Sequence, residues 1–292
     1  MSHGRRRPSA RMTLVLGLLL AAVSPGLAES RLDRGAYLVN VVGACGNCHS
    51  PVDANGNRSG PALSGGPALL SPVFEAYALN ITPDPKTGIG TWSEDQIVTA
   101  LREGKTPDGQ VLRPPMPVPL YRSISDGDAH AIAAYLKTLP PTEHETPASI
   151  YKVPTPVSYG PPVGSVAEPA HDDPVSYGAY LAKLGHCMQC HTPVGADGKR
   201  DFANRLGAGG LSVDISWGSR VAANITPDPE TGIGNWTDEQ VITALTHGVD
   251  KTGWTLSPIM PWPYFQAMKP EDLKALVAWL RTLKPVRNVV AR

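Results

Sequence analysis

The chain is 292 residues long and sets 26 basic against 26 acidic side chains, leaving no net charge to attract a nucleic-acid backbone. Charged residues make up 18% and form no long block, which also excludes a disordered polyelectrolyte. Glycine (29) and proline (30) together approach a fifth of the chain while phenylalanine numbers 3, so side chains alone are a thin supply of core.

In chain order, Arg5, Arg6, Arg7 and Arg11 precede an apolar run from Leu14 to Val23, then Pro25, Gly26 and the small residue Ala28. This is the pattern of an export signal over residues 1–28, cleaved before Glu29, and it predicts a periplasmic location. The run is too short to span a bilayer, which takes about 20 apolar residues. Contact with a membrane would go through partners or an uncleaved N-terminal segment. Without residues 1–28 the chain has 22 basic against 26 acidic side chains, a formal −4.

Residues 34–44 predict a helix that runs into Cys45-Gly46-Asn47-Cys48-His49. Asn80-Ile-Thr-Pro-Asp-Pro-Lys-Thr-Gly-Ile-Gly-Thr-Trp92 follows, then a capping box at Ser93–Gln96 with a helix behind it. Pro114-Pro115-Met116-Pro117 comes next, and an amphipathic helix over 126–139 closes the unit. The same series then repeats. Cys187-Met188-Gln189-Cys190-His191 lies 142 residues after the first cluster, and Asn224 to Trp236 repeats the Asn-Ile-Thr block at 144. Thr237–Gln240, Pro258-Ile259-Met260-Pro261 and a helix over 270–283 complete the second copy. The chain reads as a signal (1–28), one domain (30–140), a proline-rich linker (141–175) and a second domain (176–288). The linker is semi-extended where proline is dense, or else a strap ordered across the domains. No strand pattern of useful length appears.

Cys-x-x-Cys-His is the attachment signature of a c-type haem. Two thiols on one helical turn can form thioethers to two vinyl groups of one porphyrin, and the next residue then aims an imidazole at the iron. A shared structural zinc site would have to join Cys pairs from separate repeats. A disulfide closing so short a loop stabilises little, and a thioredoxin-like pair expects a βαβ setting. Met116 and Met260 sit at equivalent places 67 and 69 residues after His49 and His191. Proline on both sides stiffens each loop, which suits a thioether as second axial ligand. Met188 lies inside an attachment turn and Met268 matches Ile124, so neither is a candidate. His130, His144, His171, His186 and His247 have no partner in the other copy and read as surface residues. Asn80 and Asn224 match a glycosylation sequon, but a backbone-shaping or propionate-contacting role suits a repeated block better. Trp92 and Trp236 could line a haem or simply pack.

With these motifs in order in both copies, the sequence resembles tandem dihaem class I cytochromes c. It is similar to the cytochrome subunits of bacterial alcohol, gluconate and related sugar dehydrogenases and of some molybdenum hydroxylases. The resemblance implies an all-α fold of two cytochrome c-like domains, each a few short helices and long Gly/Pro loops around a covalently attached haem. It implies two haem c groups. Cys45, Cys48, His49 and Met116 would serve the first, and Cys187, Cys190, His191 and Met260 the second, with His49, Met116, His191 and Met260 as iron ligands. Such an iron has no vacant position, so the expected role is electron transfer rather than catalysis. The donor would be a dehydrogenase catalytic subunit of flavin, quinone or molybdenum type, and the acceptor an oxidase or another cytochrome. The alternatives are a dihaem peroxidase-like enzyme and a stand-alone soluble carrier. Docking faces are expected beside the Cys clusters.

Overall fold

The computed structural model describes residues 1, 3–4, 29–196, 198–215 and 218–291. The charged and apolar parts of the expected export signal, residues 5–23, lie outside the described residues. In the first copy, helix α1 (Arg31–Tyr37) runs into a π-helical turn (Leu38–Val42) and then the short helix α2 (Cys45–His49). The hairpin β1 (Ala68–Ser71) and β2 (Phe74–Tyr77) follows, then α3 (Glu94–Glu103), α4 (Val118–Tyr121) and α5 (Asp126–Thr138). A two-residue strand, β3 (Ile150–Tyr151), lies in the proline-rich segment. The second copy repeats the order with α6 (Pro174–Leu184), α7 (Cys187–His191), β4 (Ser212–Ile215), β5 (Gly218–Val221), α8 (Asp238–His247), α9 (Trp262–Phe265) and α10 (Pro270–Thr282). Both expected capping boxes form, Ser93 with Gln96 and Thr237 with Gln240, and each satisfies two otherwise unpaired amides. No helix among the described residues is long and apolar enough to cross a membrane.

Each copy is built on a close crossing of its first and last helices. A Cβ at Gly35 of α1 would lie 2.0 Å from the Ala131 carbonyl oxygen of α5. At Gly178 of α6 it would lie 2.0 Å from the Ala275 oxygen of α10. Only glycine admits this approach, and it brings Leu38, Val39, Leu181 and Leu184 against Ala129, Ile132, Leu276 and Val277 in one core cluster.

The all-α expectation is overturned. A five-stranded antiparallel sheet in the order β3-β2-β1-β4-β5 makes the fold mixed. The strands escape sequence reading because none exceeds four residues and none alternates cleanly between buried and exposed. Half of the pairing is also non-local. β1 of the first copy pairs with β4 of the second through Leu69 with Ile215 and Leu70 with Asp214. Leu70 and Asp214 are equivalent positions of the repeat, so this register is centred on itself and marks a pseudo-two-fold relation between the copies.

The same relation governs the helices. The Tyr37 hydroxyl accepts from the Lys269 amide at 3.0 Å and donates to the Asp272 carboxylate at 2.6 Å. Reciprocally, the Tyr180 hydroxyl accepts from the Ser125 amide at 3.3 Å and donates to Asp128 at 2.7 Å. Each copy thus supplies a tyrosine to the N-terminus of the other's last helix, where α10 begins after Lys269 with no side-chain cap of its own. Asp128 and Asp272 are 3% and 2% exposed, so these bonds hold carboxylates that water cannot reach.

The proline-rich segment is an ordered strap lying on the first copy. Thr142 accepts from Asn80, Tyr151 donates to the Pro114 carbonyl, Tyr159 to the Leu112 carbonyl, and Val166 pairs with Asp126.

Candidate functional site

The helix carrying each Cys cluster is one turn long and enters through a residue in the left-handed region, Ala44 at φ 44° and His186 at φ 43°. Such a conformation is costly for a residue with a Cβ, and its appearance at equivalent points makes it part of the turn's design. The short helix that follows places Cys45 and Cys48, and likewise Cys187 and Cys190, three residues apart on one turn as free, half-buried thiols. Burial pushes Cys45 and Cys187 up to about 12 and Cys48 to about 11, and raises Cys190. These are neutral thiols, opposite in tendency to the lowered thiol of a redox-active Cys-x-x-Cys pair.

His49 and His191 end the two turns. The Nδ1 atom of His49 lies 2.7 Å from the Leu79 carbonyl oxygen, and that of His191 lies 2.7 Å from the Ala223 oxygen. A carbonyl only accepts, so Nδ1 carries the proton and Nε2 keeps its lone pair for a metal. Burial lowers both histidines, which favours the neutral, ligating form.

The repeated Asn-Ile-Thr block explains where those carbonyls come from, since Leu79 and Ala223 immediately precede it. Asn80 is buried; its side-chain oxygen accepts from Thr82 N and Oγ1 at 2.9 and 2.7 Å, and its amide donates to Thr87 and Thr142. Asn224 repeats all four bonds with Thr226, Thr231 and Val286. Asp84 then gathers the Lys86 and Thr87 amides, as Asp228 gathers those of Glu230 and Thr231. A Cβ at Gly88 or Gly232 would stand 2.2 Å from the carbonyl oxygen of Thr82 or Thr226, so this fold of the backbone requires glycine there. The block is a rigid clip that aims one carbonyl at one imidazole. Of the two roles expected of them, its asparagines take the backbone-shaping one, and their amides are fully committed within the protein.

Met116 and Met260 are half-buried and pack against the same core cluster as Cys45 and Cys187. Each starts a tight turn, with Val118 N bonded to the Met116 oxygen at 2.9 Å and Trp262 N to the Met260 oxygen at 2.7 Å. Trp92 and Trp236 also pack partly buried against the core, while Met188 and Met268 are core residues. The histidines divide. His144, His171 and His247 are exposed, but His130 and His186 are half-buried. His186 sits at the junction of the copies beside Gly43, because the left-handed entry turns it inward.

Sequence reasoning passed over Arg58 and Arg200, although they repeat at the same 142-residue offset as the cysteines. Arg58 donates to the Ser50 carbonyl and Arg200 to that of Thr192, placing a cation beside each attachment turn. It also passed over the burial of the first turn by the second copy. A Cβ at Gly46 would lie 2.8 Å from the Tyr264 hydroxyl oxygen, and Asn47 Nδ2 donates to the Ile259 carbonyl at 3.0 Å. The first Cys cluster therefore faces the other copy.

The donors present fit a c-type haem. Each copy holds two neutral thiols on one turn, an imidazole with a free Nε2, and a thioether on a stiff loop in the same core. Comparison with known proteins agrees. Residues 175–284 match the cytochrome c family. The chain is 32% identical over 273 residues to the fructose dehydrogenase cytochrome subunit of Gluconobacter japonicus, covering 86% of this chain and 52% of that protein. It is 33% identical over 263 residues to the gluconate 2-dehydrogenase cytochrome c subunit of Pantoea cypripedii, covering 81% and 56%. A diheme c-type cytochrome of Cereibacter sphaeroides is 28% identical over 258 residues, with 84% and 83% covered. The chain thus spans about half the length of the two dehydrogenase subunits. Residues 175–284 resemble a cytochrome c domain, and over most of its length the chain is similar to cytochrome c subunits of dehydrogenases.

Proposed function

We propose that this chain is a periplasmic dihaem cytochrome c that passes electrons from a dehydrogenase catalytic subunit toward the respiratory chain. The observation that carries the reading is the duplicated attachment turn with its oriented imidazole, identical in geometry in the two copies. In each copy the Cys pair would hold a haem covalently, and His49 with Met116, or His191 with Met260, would bind its iron. The haem, when bound, supplies a one-electron Fe(III)/Fe(II) couple.

What the chain itself does is hold these ligands in place. The carbonyls of Leu79 and Ala223 fix imidazole orientation, the proline-flanked loops present the thioethers, and the shared core excludes water. Sulfur ligation and burial both favour the lower charge of the ferrous state. The dehydrogenase partner is supported by the names of the similar proteins, and periplasmic export by the residues before Glu29.

The test is direct. Haem extracted from the purified, matured chain should amount to two per polypeptide and should resist acid-acetone because it is covalent. Met116→Ala and Met260→Ala should each remove half of the methionine–iron charge-transfer absorption and leave the covalent haem in place. One haem per chain, or an unchanged absorption, would overturn the assignment.

A further inference from the structure

Two loops of one sequence pattern are braced by different parts of the molecule. The Met116 loop is held by the strap. Tyr151 donates to the Pro114 carbonyl at 2.7 Å, Tyr159 to the Leu112 carbonyl at 2.9 Å, and Arg113 lies 5.2 Å above the Tyr151 ring. Among the described residues no tyrosine hydroxyl donates to a carbonyl of the Met260 loop. That loop rests instead on the attachment turn of the first copy, where Asn47 donates to the carbonyl of Ile259, the residue before Met260. Four residues after Met260, Tyr264 lies against Gly46, bonded to and stacked under Arg58, whose guanidinium is 5.1 Å from the ring.

The arrangement is not reciprocal. Leu120 stands at the place of Tyr264 and has no hydroxyl to offer. Gln189 stands at the place of Asn47, and among the described residues its side chain makes no bond to the Met116 loop. The tyrosine–aspartate bonds and the facing approach of Gly43 to the Leu184 oxygen and Gly185 to the Val42 oxygen obey the pseudo-two-fold relation. The methionine loops depart from it.

We infer that Asn47, Arg58 and Tyr264 are positioning residues for Met260, so that the axial loop of the second copy takes its place from the attachment turn of the first. Met116 takes its place from the strap. The ligand roles rest on the proposed function, while the bracing itself concerns only this chain's own contacts. Loss of the Asn47 and Tyr264 contacts is therefore felt in the Met260 loop, whereas loss of the strap tyrosines is felt in the Met116 loop. The two sites then respond separately to whatever touches the molecule.

Hydrogen exchange and absorption on the full haem-loaded chain test this together. Asn47→Leu with Tyr264→Leu should speed amide exchange over residues 256–264 roughly tenfold, the effect of about one lost hydrogen bond, and leave 112–120 unchanged. Tyr151→Phe with Tyr159→Phe should do the reverse. Tyr264→Phe, which keeps the ring and loses only the hydroxyl, should give a smaller effect of the same pattern, and Gln189→Leu none. In a Met116→Ala background, where Met260 is the remaining axial thioether, Asn47→Leu with Tyr264→Leu should abolish the remaining charge-transfer absorption. In a Met260→Ala background the same pair should leave it intact. Exchange that changes equally in both loops, or in neither, overturns the bracing. A correct exchange pattern in a protein with no charge-transfer absorption overturns the ligand assignment and leaves the bracing standing.

Discussion

Asn80 and Asn224 are the smallest units on which the sites depend. Each is buried with its amide fully bonded, and each holds the clip whose preceding carbonyl orients a histidine. Replacing Asn80 with Ala strips the Thr82 amide of its acceptor and the Thr142 carbonyl of one of its two donors. A buried polar group left unpaired costs about 1–3 kcal/mol, so urea unfolding of Asn80→Ala should shift by about that amount, with Asn224→Ala matching it. Because the Leu79 carbonyl would lose its fixed aim, the absorption of the first haem should also broaden in the Asn80 variant. The importance of the block was legible from repetition alone. What it does was not, since the group that meets the imidazole is a backbone carbonyl and carries no sequence signature.

At the scale of elements, the helices were legible and the sheet was not. The capping boxes, the amphipathic closing helices and the helix before each Cys turn all follow local rules of spacing and hydrogen bonding, which a sequence displays. The strand β1 finds its partner β4 some 140 residues away, and no four-residue pattern can announce that. The strap falls between these cases, because its prolines are visible and its tyrosine contacts are not. Its far end hangs on Asp126, which accepts from Ser165 and the Val166 amide and pairs with Arg102. The Ser165 and Arg102 bonds hold the Asp126 carboxyl down to about 2 from an ordinary 3.8. A lowered carboxylate contributes its full share above the ordinary value and loses it as the pH falls toward the lowered one. Protease cleavage between residues 160 and 170 should accordingly accelerate as the pH drops from about 3.8 to about 2. Asp126→Asn should show the faster cleavage already at neutral pH.

For the whole molecule, the junction between copies is the decisive feature. Tyr37 and Tyr180 make equivalent bonds, but the carboxylates that they reach are not equally supported. Asp128 is also held by Arg34 through two contacts of 2.7 and 2.8 Å, whereas among the described residues Tyr37 is the only side chain bonded to Asp272. Tyr37→Phe should therefore destabilise the protein by about 1.5–3 kcal/mol, the range for a bond to a charged group, and Tyr180→Phe by less. Equal losses in calorimetry would mean that Arg34 contributes nothing to Asp128.

Because each copy presents the same tyrosine, glycine and strand to the other, the junction has the isologous character of a homodimer interface. Two separate chains meeting this way would part on dilution. Joined in one polypeptide, each half meets the other at an effective concentration on the order of millimolar, whatever the amount of protein present. The surface that could pair two molecules is already occupied from within. Association between chains must therefore use some other face, and the spacing of the two Cys turns is fixed at any concentration the cell maintains.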